Sequence, residues 1–342
     1  MITLTVCPST LAEGFDTHSP AARKKMFDDK MVSHYLRVPS PSTNSKEANE
    51  AIRNAKRISL SGVQPKYSVI VDEQESYLRY TQEGEQGTYI LKPCPSSYHI
   101  LNRDYCAANE HLTMQIAAQV YGIETAANGL CFFNNDEAAY LTRRFDVHDG
   151  KKSQQEDFAA LMGYTKANGG SDYKYCNGSY EECAEVIQKY VKAARIDILR
   201  FFRLIVFNFI SLNDDAHLKN FSLINSGDEY RLSPAYNLIN TSLHLTEPRR
   251  FALDKGLFKE GMNLGDTHRV GRKDFEEFGR RIGLGDKLIK REIDGFIHEK
   301  PLVQALIDRS FLSEELKKQY RLSMSYRCKT VSYTHLRAHE TT

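Results

Sequence analysis

Residues 213–220, NDDAHLKN, give the strongest indication of the fold of this chain. Asp215 stands five positions before Asn220, and Lys219 lies beside that asparagine. The D-x-x-x-x-N spacing is typical of a phosphoryl-transfer loop, in which the carboxylate accepts a proton from the attacking hydroxyl and the amide oxygen holds a magnesium ion. We therefore predict Asp215 as the catalytic base and Lys219 as a cation that neutralises charge on the transferred group. Asp214 has the wrong spacing, and the alternative that both aspartates only cap a loop stays open.

The segments on either side of this loop follow the order of elements that kinases use. The apolar run 196–212 predicts a buried helix, because its charged residues argue against a membrane span. A short hairpin over residues 221–233 follows the loop and leads to Tyr236 and Asn237. Asn220 and Asn237 are the predicted metal ligands. His217 is expected to orient the loop or to contact a nucleotide, with a purely structural histidine as the alternative.

Residues 58–145 indicate a β-rich region with one strong helix. Strand patterns cover 67–71 and 88–92, a helix pattern runs over 104–121, and a hairpin follows. Lys92 ends the second strand and Glu110 lies in the helix after it. A lysine that binds nucleotide phosphates and pairs with a helix glutamate is expected at these places in a kinase. Each residue alone is also common on an ordinary protein surface.

Two further segments are candidates for binding a nucleotide. Residues 59–66, SLSGVQPK, form a small-residue turn with one glycine, whose backbone N–H groups can face phosphates. Residues 143–146, RRFD, follow the hairpin as the predicted connector between lobes, where an adenine ring would pack. An exposed basic turn is the alternative for the connector. The predicted nucleotide-binding residues are Ser61, Gly62, Val63, Gln64, Lys66, Lys92, Arg143, Arg144, Phe145, His217, Asn220 and Tyr236.

Composition limits the class of protein. The chain has 342 residues, 41% of them hydrophobic and 26% charged, with a formal net charge of +2. This near-neutral balance gives no reason to expect direct binding of nucleic acid or a membrane. The seven cysteines are scattered and none has C-x-x-C spacing, which predicts free thiols rather than disulfides or a zinc site. The N-terminus lacks the pattern of a secretory signal, so we expect a cytoplasmic protein.

The predicted fold is α+β, a bilobal protein-kinase-like fold with a β-rich N-lobe and a mostly helical C-lobe. Residues 1–57 form a small N-terminal region, separated by a Ser/Pro-rich break and followed by a polar helical stretch over 46–56. Residues 58–145 form the N-lobe and residues 146–330 the C-lobe with the catalytic loop. The tail 331–342 continues no periodic pattern and resembles read-through or cloning-derived sequence, so it is excluded from the fold.

Taken together, these segments resemble the HipA family of bacterial serine/threonine protein kinase toxins. The resemblance extends over about residues 58–325, and its short N-terminal region and paired serines are similar to the smaller HipT type. The matching segments are SLSGVQPK at 59–66, ILKP at 90–93, NE at 109–110, RFD at 144–146, QEDF at 155–158, DAHLKNF at 215–221 and LSPAY at 232–236.

The resemblance implies ATP and Mg²⁺ as cofactors and autophosphorylation on the loop serines, here Ser59 and Ser61. It implies an aminoacyl-tRNA synthetase as protein substrate, so that phosphorylation would inhibit translation. It also implies two partners, a DNA-binding HipB-like antitoxin and a small HipS-like protein that resembles the N-terminal subdomain of full-length HipA. A phosphate on the loop would add about −1.5 to −2 charges beside the nucleotide and should repel it.

Asn237 departs from the family pattern, which has a magnesium-binding Asp after Pro-Ala-Tyr. A neutral amide oxygen is a weaker ligand for a hard divalent cation than a carboxylate. Either the residue is natural, in a weak kinase or pseudokinase, or it is an engineered change that allows a toxic kinase to be produced, which we favour. Two other functions stay open: a catalytically dead nucleotide-binding subunit acting through partners, and a small-molecule phosphotransferase.

Overall fold

The computed structural model describes residues 3–38, 40–41, 64–72, 74–227, 229–264, 269–298 and 300–332. The chain divides into two units. Unit 1 contains Met1–Gln154, Pro234–Glu247 and Pro301–Tyr320, and unit 2 contains Gln155–Ser233, Pro248–Lys300 and Arg321–Thr342. Each unit combines a β-sheet with helices, which confirms the predicted α+β class.

The sheet of unit 1 has five antiparallel strands in the order β2-β1-β3-β5-β4. Its strands are β1 Tyr67–Asp72, β2 Tyr77–Tyr80, β3 Tyr89–Lys92, β4 Asn128–Phe132 and β5 Ala138–Arg143. The last residue of β3, Lys92, pairs with Tyr140 of β5. Because successive side chains point to opposite faces of a sheet, Lys92 and Tyr140 share one face while Leu91 and Leu141 share the other. A two-stranded ribbon, β6 Val147–His148 and β7 Lys151–Lys152, follows.

The described N-terminal segment packs on the Leu91 face of this sheet rather than forming a separate region. Its helix α1, Pro20–Phe27, is capped by Ser19, whose side chain accepts from the N–H of Ala22. Its apolar side chains join a buried cluster with alternate strand residues; the cluster includes Met26, Phe27, Val32, Leu36, Tyr67, Val69, Tyr89, Leu91, Ala139 and Leu141. The helical stretch predicted at 46–56 lies outside the described residues.

Helix α2, Cys106–Gln119, packs against β4 and β5. A 3₁₀ turn, Arg103–Tyr105, leads into it, and Gly122 with φ 58° follows its C-terminal end. Every residue of α2 from Cys106 to Ala117 is buried, because α10, Pro301–Arg309, covers it as well. The predicted helix over 104–121 is therefore confirmed with slightly shorter bounds.

Unit 2 is mainly helical and contains a three-stranded sheet in the order β10-β9-β8. Its strands are β8 Gln155–Asp157, β9 Ser222–Ser226 and β10 Glu229–Leu232. Its helices are α3 Phe158–Leu161, α4 Lys166–Gly169, α5 Tyr173–Cys176, α6 Tyr180–Tyr190, α7 Ala194–Ile210, α8 Arg272–Arg281 and α9 Asp286–Ile297; the last helix, α11 Glu314–Ser332, crosses the division between units. The predicted hairpin after the catalytic loop is confirmed as β9 and β10.

The buried helix predicted over 196–212 is confirmed as α7 with bounds two residues earlier, since Leu212 takes the left-handed conformation with φ 56°. The tail does not begin at 331, because Val331 is fully buried and lies in α11. Residues 333–342 lie outside the described part of the chain. No helix within the described ranges is long and apolar enough to cross a membrane.

Candidate active site

Lys92 is the centre of a buried polar group in unit 1. Its Nζ donates to Glu110 Oε1 at 2.6 Å and to Asn237 Oδ1 at 2.9 Å. The side chains of Lys92 and Glu110 are only 6% and 4% exposed, and the ammonium lies 5.2 Å from the centre of the Tyr140 ring. The structure therefore brings the strand lysine, the helix glutamate and the predicted metal ligand together around one cation.

Asn237 has a backbone conformation that few residue types adopt. Its φ of 59° lies in the left-handed region, where asparagine and aspartate are the most readily tolerated non-glycine residues. An aspartate at this position would keep the backbone conformation and add a negative charge beside Lys92. The local structure is therefore compatible with either residue, and the difference between them is one of charge.

The predicted connector places its side chains in different surroundings. The Phe145 and Tyr236 rings contact each other with centroids 5.6 Å apart, so these two predicted residues do come together. Arg143 instead forms two hydrogen bonds with Asp28, at 2.7 and 2.9 Å, and Arg144 pairs with Asp146. Both arginines thus have carboxylate partners within unit 1.

The serine loop is only partly described. Ser59, Ser61, Gly62 and Val63 lie outside the described residues. Gln64 is described, and its Nε2 donates to the carbonyl of Pro93 at 3.0 Å, directly after Lys92. Lys66 is half-buried just before β1. The predictions for this loop therefore rest on the sequence.

The D-x-x-x-x-N loop in unit 2 is closed by hydrogen bonds among its own residues. Asn220 donates its Nδ2 to the carbonyl of Asp215 at 2.5 Å. His217 accepts the N–H of Lys219 at Nδ1, at 3.2 Å, and so caps the 3₁₀ turn Leu218–Asn220. This bond leaves the His217 proton on Nε2, which lies 3.8 Å from Asp215 Oδ1. The spacing that marked this loop in the sequence thus lets the asparagine hold the aspartate backbone.

Tyr175 of α5 binds the carboxylate of the predicted base. Its hydroxyl donates to Asp215 Oδ1 at 2.6 Å, and its ring contacts the His217 ring edge-on at 4.9 Å. Burial, followed by the charge of Asp215, raises the pKa of Tyr175, so the phenol is protonated and donates at neutral pH. The Tyr175 hydroxyl therefore occupies one of the two carboxylate oxygens of Asp215.

Lys219 is held by Asp157, the last residue of β8. The two side chains lie 2.5 Å apart, and Asp157 also caps α3 by accepting from the N–H of Ala160. Burial acts to lower the pKa of Lys219, but the hydrogen bond and charge of Asp157 outweigh it and raise the pKa overall. Lys219 therefore remains a cation at neutral pH.

The amide residues predicted as metal ligands offer neutral oxygens. The hydrogen bond from Asn220 Nδ2 fixes the orientation of that amide, so Oδ1 is the atom with which Asn220 could hold a cation. Asn237 Oδ1 already accepts from Lys92. Within the described ranges, no group of three or more His, Cys, Asp or Glu side chains could hold a metal ion. Each of these amide oxygens can contact a cation, but neither carries the negative charge that magnesium favours.

Comparison with known proteins identifies the family. The model of the HipA-like C-terminal domain matches residues 58–302. The chain belongs to this family. It is 31% identical to a Haemophilus influenzae protein named "Putative kinase" over 75% of this chain and 77% of that protein. It is 26% identical to the Sinorhizobium fredii "Putative kinase Y4mE" over 70% of this chain and 54% of that protein.

A solved structure shows the same fold. The HipA protein in the Shewanella oneidensis complex of HipA, HipB and operator DNA superposes with a TM-score of 0.60 at 19% identity. The match covers 80% of this chain and 65% of the HipA chain. The predicted kinase-like fold and the predicted family are therefore confirmed.

This HipA-like chain also contains site residues that the sequence did not reveal. Tyr175 was missed because it comes from a four-residue helix 40 positions before the aspartate that it binds. Asp157 lies in the segment QEDF, which carries the family resemblance, but its pairing with Lys219 depends on the β8–β9 register. The only local sequence signal for Asp157 was its position directly before an apolar helix, which predicts a helix cap.

Proposed function

We propose that this chain is an ATP-dependent serine/threonine protein kinase toxin of a bacterial toxin–antitoxin system, acting in the cytoplasm. Lys92, held by the buried Glu110 and contacting Asn237, is the observation that carries this proposal. A buried ammonium that is fixed by a helix glutamate and touches the metal-ligand position is the arrangement with which kinases grip nucleotide phosphates. The names of the relatives and the family membership support the same reaction class.

Each charged side chain has its own role in the proposed reaction. In unit 1, Lys92 binds nucleotide phosphate oxygens, and Glu110 orients it. In unit 2, Asp215 Oδ1 accepts the proton of the attacking hydroxyl, and Lys219 offsets negative charge on the transferred group. The Lys219 ammonium keeps its charge in this role because Asp157 raises its pKa.

ATP with Mg²⁺ supplies the phosphoryl group when it is bound. Asn220 Oδ1 and Asn237 Oδ1 are each a candidate ligand for a cation, and Phe145 and Tyr236 form an aromatic pair suited to an adenine ring. Because both metal-contacting oxygens are neutral, we propose that this chain binds nucleotide but transfers phosphate weakly. An aspartate at position 237 would supply the missing charge.

The protein partners follow from relatives. The Shewanella oneidensis HipA is in complex with HipB and operator DNA, and we propose a HipB-like antitoxin as partner here. The HipT type, with a small HipS-like partner, extends the proposal on the basis of the family resemblance. An aminoacyl-tRNA synthetase as substrate, and Ser59 and Ser61 as autophosphorylation sites, extend the proposal on the basis of the family resemblance.

A second candidate function is a nucleotide-binding subunit that performs no transfer. Asn237 favours this binding role, because its neutral amide weakens magnesium binding. The presence of both Asp215 and Lys219 favours catalysis instead. A small-molecule phosphotransferase is the third candidate, since the Asp–Asn loop also serves that chemistry.

One labelling experiment separates the three candidates. The Asn237→Asp variant is incubated with γ-labelled ATP and cell lysate, with an Asn237→Asp/Asp215→Asn double variant as the matched control. The proposal predicts a labelled protein band from the first variant only. A labelled small molecule would indicate the phosphotransferase, and absence of any transfer would indicate the binding subunit.

A further inference from the structure

A buried hydrogen-bonded group links helix α2 to the chain segment that follows Asn237, and all of it lies in unit 1. Asn109, the residue before Glu110, is fully buried. Its Nδ2 donates to the carbonyl of Asn240 at 2.8 Å, and its Oδ1 accepts the N–H of Asn240 at 3.2 Å. One side chain thus satisfies both backbone groups of a residue that lies three positions after Asn237.

His244 uses the second proton of the same amide. Asn109 Nδ2 also lies 2.8 Å from His244 Nε2. His244 Nδ1 lies 2.8 Å from the carbonyl of Leu101, so the ring carries its proton on Nδ1 and presents a bare Nε2 as acceptor. Burial lowers the pKa of His244, which keeps the ring neutral and suited to that role. Among amide and acid side chains of this length, only asparagine supplies two donors and one acceptor here.

Helix α2 contacts the segment 237–244 through two separate sets of hydrogen bonds. Lys92 holds Glu110 of α2 and Asn237 of the following segment, while Asn109 of α2 holds Asn240 of that same segment. The helix and the segment are therefore tied at two points, one of them the proposed nucleotide-binding cation. A shift of α2 relative to residues 237–244 would disturb both points together.

We propose that Asn109 is a positioning residue for phosphoryl transfer, which fixes the segment 237–244 against α2 so that Glu110 and residue 237 grip Lys92 in a single geometry. This inference rests on the proposed kinase function. Asn109 touches neither nucleotide nor substrate in this scheme and acts through Glu110 and Lys92. Residues that orient a binding group in this way typically change activity by about 10- to 100-fold when they are replaced.

The test is a double-mutant cycle in the Asn237→Asp background. Initial rates of labelled phosphate transfer at varied ATP concentration are measured for the parent, Asn109→Leu, Glu110→Gln and the double variant. Gln115→Leu is the control, since Gln115 is a buried amide on the same helix whose side chain donates to Asn128 of β4 instead. Thermal unfolding of all variants measures how much each substitution lowers stability, separately from its effect on activity.

We expect Asn109→Leu to lower kcat/KM about 10- to 100-fold, with little further loss when it is added to Glu110→Gln. Gln115→Leu should lose comparable thermal stability while keeping kcat/KM. Losses that multiply in the double variant, or equal kcat/KM for Asn109→Leu and Gln115→Leu, would overturn the inference. If Asn109→Leu fails to fold, Asn109→Asp, which keeps the acceptor and loses both donors, must show the same non-additive loss. If the parent shows no transfer, the proposed function itself is rejected. If the parent is active and replacing Asn109 leaves kcat/KM unchanged, only the positioning role of Asn109 is rejected.

Discussion

Replacing Lys92 with methionine will destabilise the protein more than replacing both Lys92 and Glu110 with apolar residues. Methionine keeps an unbranched side chain but removes the ammonium, so the carboxylate of Glu110 is left buried at 4% exposure without its 2.6 Å partner. Removing one member of a buried ion pair costs about 3–5 kcal/mol, because the remaining charge stays desolvated. We expect a loss of this size in the free energy of unfolding.

The double variant Lys92→Met/Glu110→Leu removes both charges and should recover most of that loss. Replacing a buried ion pair with packed apolar side chains is often neutral or stabilising by about 1–4 kcal/mol, since neither charge has to be desolvated. The pair therefore has a large coupling free energy but a small net contribution to stability. Phosphoryl transfer should be abolished in the single and the double variant alike, because both lack the phosphate-binding cation.

Urea unfolding followed by circular dichroism and tyrosine fluorescence measures these free energies, and the 19 tyrosines in a chain without tryptophan make the second signal clean. The slope against urea should be the same for all variants, so that the midpoints report stability. A Lys92→Met variant that loses less than about 1 kcal/mol would contradict the reasoning, as would a double variant at least as unstable as the single one.

Two further predictions concern other groups. Tyr175→Phe removes a hydroxyl that competes with a substrate for Asp215 Oδ1. In the Asn237→Asp background the transfer rate should therefore rise about tenfold, which corresponds to a charged hydrogen bond of about 1.4 kcal/mol. An unchanged or slower rate would contradict this. Burial lowers the pKa of His18 to about 3 and that of His111 to about 4, so the unfolded chain takes up protons first as the pH falls below about 6.5. The free energy of unfolding should therefore decrease between about pH 6.5 and pH 4, and His18→Gln/His111→Gln should flatten this decrease in urea midpoints; equal slopes for both proteins would refute it.

The parts of the fold that depend on local patterns were predictable from the sequence. Strand β3 and the hairpin β9–β10 follow from alternation and turn residues, and α2 follows from its long helical pattern. The packing of Phe27 and Met26 on the sheet was not predictable, because their partners Tyr89 and Leu141 lie far along the chain. No local pattern encodes which face of a sheet a distant segment will cover.

In the candidate site, too, local sequence order predicted some contacts, and contacts between distant residues were not predictable. Lys92 and Glu110 were paired from the strand-then-helix order, and the structure places them 2.6 Å apart. The link from Asn109 to His244 spans 135 positions and has no motif of its own, so only the folded chain reveals it. The αL conformation of Leu212 likewise came from the fold, since leucine carries no sequence signal for positive φ.

We propose that Asp215 and Lys92 both act in phosphoryl transfer and that the neutral amide of Asn237 slows this transfer. The most direct test follows the γ-phosphate of labelled ATP under single-turnover conditions for three proteins: the unaltered chain with Asn237, the Asn237→Asp variant and the Asn237→Asp/Asp215→Asn variant. We expect slow transfer for the chain with Asn237, a gain of about 10- to 100-fold for Asn237→Asp, and loss of that gain when Asp215 is also replaced. Equal rates for the first two proteins, or full activity without the Asp215 carboxylate, would contradict it.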